Sequence, residues 1–221
     1  DITNSYDLDG NILTLKRFGT SSTAQDNFIY TYESGTNKLL GIDSKEDGYT
    51  YDLNGNVTFD KLNEVWDMKY DWRNLMISCV SKQPHRGKPG VEPDEVFYNE
   101  YIYDESGNRI KKIVLLYTGN DPEPIHNNND APGTWIAQYI EYYVRNFSGS
   151  EVSIYKGANL EFWNIWGGDN VGRINSDTTK QFYLKDHLRS IRCVINSKSE
   201  IISAQDFDTW GYKMENRNFD I

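Results

Sequence analysis

Tyr51-Asp52-Leu53-Asn54-Gly55-Asn56-Val57 decides the fold of this 221-residue chain, because the chain repeats it. It stands earlier as Tyr6-Asp7-Leu8-Asp9-Gly10-Asn11-Ile12 and later as Tyr103-Asp104-Glu105-Ser106-Gly107-Asn108-Arg109-Ile110. Looser copies are Tyr32-Glu33-Ser34-Gly35-Thr36-Asn37-Lys38-Leu39 and Tyr70-Asp71-Trp72-Arg73-Asn74-Leu75. Tyr32, Tyr51 and Tyr70 are spaced by 19 residues, while the step from Tyr6 to Tyr32 is 26 and that from Tyr70 to Tyr103 is 33. The longer steps predict an added loop in the first repeat and an insertion around Pro84 to Pro93. A fixed period of this length signals stacked supersecondary units.

Each unit reads as strand, turn, strand. The tyrosine ends the incoming strand, and Gly10, Gly35, Gly55 and Gly107 supply the positive φ of a tight reversal. Asp and Asn cap such turns through side-chain bonds to nearby backbone. The tyrosine pairs Tyr30/Tyr32, Tyr49/Tyr51 and Tyr101/Tyr103 are two residues apart, so both members face one side of a sheet. One hairpin cannot bury that face alone, and stacking neighbours is the remedy. The Asp7, Asp9, Asn11 spacing also starts like a calcium loop. An EF-hand needs Gly at its sixth place and Glu at its twelfth, where this chain has Ile12 and Phe18, so turn chemistry is the better reading.

The net charge of −10 and a pI near 4.8 oppose binding to nucleic acid or to an anionic membrane. The longest aliphatic run, Ile113-Val114-Leu115-Leu116, is too short to span a bilayer. Sixteen tyrosines and 17 glycines in a chain with sparse aliphatics suit half-buried pleated surfaces and turns. Cys79 and Cys193 lie in separate apolar-alternating stretches and read as two buried thiols, with a bridge left open for an exported protein.

The repeats resemble the YD repeats of the RHS proteins, roughly YDxxGxL/I, and the second half extends the likeness. Tyr142-Tyr143-Val144-Arg145-Asn146-Phe147-Ser148-Gly149-Ser150-Glu151-Val152 resembles the YYVRDxxGNVL segment, with Gly149 as its turn glycine. Asn164 to Arg173 resembles the YGSxRLGR turn. Tyr183-Leu184-Lys185-Asp186-His187-Leu188-Arg189-Ser190-Ile191-Arg192 resembles the YxxDHLGSVR signature of the RHS-associated core, marking Asp186, His187 and Arg192. Phe207-Asp208-Thr209-Trp210-Gly211 resembles the YDPFG that follows. Arg189 stands where the family has Gly, and Lys198-Ser199 where it has an Asn-Gly turn. The sequence quoted ends at Ile221, before the family's DPxGR segment, so the autoproteolysis tied to that segment is not carried over.

The resemblance implies an all-β fold of antiparallel hairpin repeats in a curved, spiralling sheet. YD-repeat hairpins are expected over 1–117, a polar loop or linker over 118–134, and an RHS-associated core-like segment over 135–221. It further implies a secreted or cell-surface wall enclosing a toxin or other cargo, partnered by the remainder of a longer shell. The alternative is an adhesion module that binds glycan or protein.

Chemistry is sparse. His85 and His126 lie in Pro/Gly/Asn-rich loops, and no histidine pair has zinc-ligand spacing. Asp186-His187 suggests acid–base chemistry in isolation, but the family signature accounts for it, and a packed or hydrogen-bonded His187 is expected. No GxSxG, P-loop, GxGxxG or CxxC occurs, so no enzyme activity, cofactor or metal is expected. Asn56-Val57-Thr58 and Asn146-Phe147-Ser148 fit the glycosylation sequon, both in repeat turns, and read as chance matches unless the source glycosylates. Trp135, Trp163 and Trp166 read as packing residues, with a sugar-stacking platform as the rival reading.

Overall fold

A computed structural model describes residues 2–18, 24–43, 47–83, 95–119, 134–208, 211 and 213–220. The Pro84–Pro93 insertion, most of the 118–134 linker, His85, His126 and Trp210 lie outside the described residues. The described residues form eighteen strands and no helix, so the chain is all-β. It divides into two compact units, Asp1–Ile140 and Glu141–Ile221.

In the first unit β1 (Ile2–Tyr6), β2 (Ile12–Phe18), β3 (Ala24–Tyr32) and β4 (Leu39–Ile42) form one antiparallel sheet in chain order. A second sheet holds β5 (Tyr49–Tyr51), β6 (Val57–Asp60), β7 (Val65–Tyr70), β8 (Met76–Gln83), β9 (Glu95–Tyr103), β10 (Arg109–Tyr117) and the start of β11 (Trp135–Arg145), again in chain order. The second unit continues from the end of β11 through β12 (Glu151–Lys156), β13 (Asn159–Trp166), β14 (Asn170–Asn175), β15 (Lys180–Lys185), β16 (Ile191–Asn196), β17 (Ile201–Phe207) and β18 (Lys213–Asp220). Within each sheet every strand pairs with its chain neighbours, the arrangement that short hairpin loops permit, and the one break falls between β4 and β5.

Burial is concentrated in the first unit. Trp66, Val80, Val96 and Tyr117 form a cluster flanked by Phe59, Tyr98 and Trp135. Trp135 sits 5.9 Å from the Tyr98 ring and 5.2 Å from the Tyr117 ring, so it is a packing residue here. On the opposite face of β8 and β9, Cys79 is buried with its sulfur 3.9 Å from the Tyr101 hydroxyl, and Asn99 donates to Ser81 Oγ at 3.2 Å. Cys79 and Cys193 are both free thiols, the latter half-buried. In the second unit Gly172 lets β14 approach β15, since a Cβ there would collide with the Gln181 carbonyl oxygen.

The repeat turns share one geometry. At Asp52 the amide donates to Asn56 O (2.9 Å) and the carbonyl accepts from Gly55 N (3.1 Å), with Gly55 at φ +85°. This is a three-residue hairpin loop, a type I turn closed by a left-handed residue. Gly10, Gly107 and Gly149 hold the same place at φ +87°, +83° and +81°. The Glu33 loop is one residue longer, closing from Glu33 N to Lys38 O, and Gly35 at φ +74° falls one place earlier.

Four turns put a side chain where the others put glycine. Asn74, Thr178, Arg189 and Ser199 take φ +61°, +70°, +66° and +64°. Arg189 therefore takes the glycine's place without a change of turn, and the left-handed backbone is strained instead. Arg189→Gly is expected to stabilise the protein by roughly 0.5–1 kcal/mol, the relieved strain less the added chain entropy. Gly55 has open space around it. Gly55→Val should cost more than about 1 kcal/mol through backbone conformation alone. Denaturant midpoints of the two variants moving the same way would contradict the shared turn.

Candidate functional site

The candidate site is the edge of the sheet where the repeat turns lie, with the hydroxyls that reach along it. At each turn the first residue's side chain acts as a staple. Asp52 Oδ1 accepts from Asn54 N (2.9 Å) and Asn56 N (2.8 Å), and Oδ2 from Asn56 Nδ2 (2.9 Å). Asp7 repeats all three bonds with Asp9 and Asn11. Asp71 binds the amides of Arg73 and Leu75, and Asn146 binds those of Ser148 and Ser150. Asp104 holds Asn108 by the same oxygens.

These bonds favour the ionised carboxylate. The Asn11 and Asn56 side chains are the largest influence on Asp7 and Asp52; burial comes second and opposes them, and the turn amides add to the side chains to leave both acids below the usual carboxylate range. At Asp71 burial is the largest single influence and opposes ionisation. The Leu75 amide, then Arg73 by hydrogen bond and charge, together outweigh it and leave the net shift downward.

After each turn comes a feature that the repeat pattern does not advertise. Tyr6 pairs with Ile12 but Ser5 pairs with Thr14, which leaves Leu13 as an extra residue. Leu40, Thr58, Ile77, Ile110, Val152, Val171 and Arg192 are the extra residues at the corresponding place of seven further hairpins. A β-bulge of this kind takes backbone out of the ladder.

At six of these eight places the carbonyl just before the bulge is met by a side chain from the next hairpin. Tyr32 Oη donates to Ile12 O (3.0 Å), Tyr51 to Leu39 O (2.8 Å), Tyr70 to Val57 O (2.7 Å) and Tyr103 to Met76 O (2.7 Å). Burial raises the hydroxyls of Tyr32, Tyr51 and Tyr70 above their ordinary value, so they keep the proton they donate. In the second unit other donors serve. Trp166 Nε1 (2.8 Å) and Asn164 Nδ2 (2.9 Å) reach Glu151 O, and Gln205 Nε2 (3.1 Å) reaches Ile191 O. Tyr6 differs: it is 51% exposed, and its hydroxyl accepts from Asn4 at 2.6 Å.

Turns are also tied to each other. Asn11 Nδ2 reaches Asn37 Oδ1 (3.0 Å), Asn56 Nδ2 reaches Asn74 Oδ1 (2.9 Å), and Arg73 Nη1 reaches Asp104 O (2.7 Å). The second position of several turns points large apolar groups outward: Leu8 and Leu53 at 106% exposure, Trp72 at 88% and Phe147 at 104%.

Asp186 and Arg192 are brought together, and His187 is not. Asp186 Oδ1 takes the amides of Leu188 (2.9 Å) and Ser190 (3.0 Å), while Oδ2 lies 3.2 Å from Arg192 Nε. Arg192 continues to Asp206 on β17 at 3.7 Å. The expectation of a packed His187 fails, because the residue occupies the exposed second position of that turn. Among the described residues no group of His, Cys, Asp or Glu is arranged to hold a metal ion.

No protein-family model matches the chain, and no curated protein is similar to it. Solved structures are. The chain matches "Crystal Structure of TcdB2-TccC3" with a TM-score of 0.57 at 14% identity, over 96% of its own length and 10% of that chain. It also aligns to TcdB2-TccC3-TEV (TM-score 0.35, 14% identity, 96% of this chain and 16% of that one). The chain thus spans about a tenth of the TcdB2-TccC3 chain whose fold it shares.

Two measurements test this edge. Tyr70→Phe should cost about 1–2 kcal/mol by leaving Val57 O unmet, whereas Tyr6→Phe should be nearly neutral. The low carboxylates add stability that is fully present above the unfolded value near 3.9 and is lost as pH falls through the folded values. The thermal midpoint should therefore drop on acidification below about pH 4, less so in Asp52→Asn.

Proposed function

We propose that this chain is a structural segment of an exported YD-repeat shell, a strip of wall that encloses a toxin or other cargo and performs no catalysis. The observation that carries the reading is the hydroxyl relay. Six hairpins are completed in this way by the next one, a design that extends in one direction. The shared fold with TcdB2-TccC3, an RHS-repeat toxin complex, supports the same reading. So does a charge of −10, which favours solubility over nucleic acid or membrane partners. The turn carboxylates are engaged in backbone bonds, and His187 is exposed on its corner with no hydrogen bond among the described residues, which supports a role without turnover.

A second reading, surface adhesion, draws support from the outward Leu53 and Trp72 tips, since exposed apolar groups mark contact surfaces.

The test uses the polypeptide that carries this stretch together with its cargo. Limited proteolysis should spare the cargo in the wild type and cleave it in the Tyr70→Phe/Tyr103→Phe variant. Equal cleavage of the cargo in both, alongside glycan or protein binding that Trp72→Ser abolishes, would favour adhesion. Turnover of polysaccharide, peptide or ester that is lost in His187→Gln with an unchanged melt would establish an enzyme.

A further inference from the structure

We propose that Asn146, and not Asn56, is the glycan acceptor of this chain, through its Nδ2. The inference rests on the export reading above, since only an exported chain meets the glycosylating machinery. Both residues satisfy the Asn-x-Ser/Thr pattern, so the sequence alone treats them alike. Their carboxamides do opposite work.

Asn56 is the fifth residue of its turn and is half-buried. Its Nδ2 spends both hydrogens, one on Asp52 Oδ2 (2.9 Å) within the turn and one on Asn74 Oδ1 (2.9 Å) in the next repeat. A sugar replaces one of those hydrogens. Glycosylation at Asn56 therefore breaks either the turn staple or the tie between repeats, and places a bulky group where two hairpins meet.

Asn146 is the first residue of its turn and is exposed. The oxygen does the stapling there: Oδ1 accepts from Ser148 N (3.0 Å), Ser148 Oγ (2.8 Å) and Ser150 N (2.9 Å). Its Nδ2 makes no hydrogen bond among the described residues, so one hydrogen can be replaced with the turn intact. The amide oxygen survives glycosylation and keeps its three bonds. The Phe147 ring beside it is 104% exposed, and a sugar on Asn146 would cover apolar surface that is otherwise fully wet.

The donor is a lipid-diphosphate-linked oligosaccharide. The bond from sugar C1 to Nδ2 forms as the bond from C1 to the diphosphate oxygen breaks. The displaced proton leaves Nδ2 for a base of the transferase.

The experiment secretes the full chain from a eukaryotic host and maps glycans by mass spectrometry, before and after an amidase that removes N-linked sugars. One glycan is expected, lost in Asn146→Gln and kept in Asn56→Gln. Should Asn56→Gln fail to fold, Thr58→Ala removes that sequon with the turn asparagine in place, and Ser148→Ala does the same at Asn146. The secreted glycoprotein should melt within about a degree of its deglycosylated form. A folded, secreted chain bare at Asn146, or one with a glycan on Asn56 and an unchanged melt, would overturn the proposal. Neither result bears on cargo protection, so the shell reading stands or falls separately.

Discussion

One backbone carbonyl per hairpin governs this architecture. The bulge after each turn removes a residue from the ladder, and the carbonyl before it must find a donor elsewhere. That donor comes from the following hairpin: Tyr70 for Val57, Tyr103 for Met76. A half-buried carbonyl left unmet costs about as much as a lost hydrogen bond. Neighbouring hairpins are thereby held in one register. In the first unit the same contact carries the chain from its first sheet into its second, because Tyr51 of β5 reaches Leu39 of β4.

The requirement concerns position rather than residue type. In the second unit Trp166 and Asn164 share Glu151 O, and Gln205 serves Ile191 O. Three different side chains stand in for tyrosine, and the bulges at Val152 and Arg192 are unchanged. The turns show the same tolerance. Arg189 occupies a left-handed place at φ +66° because the Asp186 staple and two backbone bonds determine the loop around it.

Much of the fold was legible in the sequence, since a tyrosine, an acid and a glycine at fixed spacing name a strand end, a cap and a left-handed turn. The hairpin order follows from loops too short to cross over. The bulges were not legible. Leu13, Ile77 and Val152 are apolar residues at the head of a strand, and nothing in their type distinguishes an extra residue from a paired one. The acceptors were hidden for a plainer reason: they are backbone oxygens, which every residue has. His187 was misjudged because its neighbours in the signature are engaged. Asp186 and Arg192 meet each other, and the residue between the cap and the turn's third place faces water. Asn56 and Asn146 looked equivalent because a sequon does not record which atom of the amide the turn uses.

The relay also has a polarity. Every donor lies later in the chain than the carbonyl it serves, from Tyr32 onto Ile12 to Gln205 onto Ile191. A cut that removes hairpins from the front strands a hydroxyl, which water satisfies at little cost. A cut that removes them from the back strands a half-buried carbonyl. The two ends of such a sheet are therefore unequal: it sheds its beginning cheaply and depends on its continuation. For a chain made from front to back, each new hairpin closes the account of the one before it.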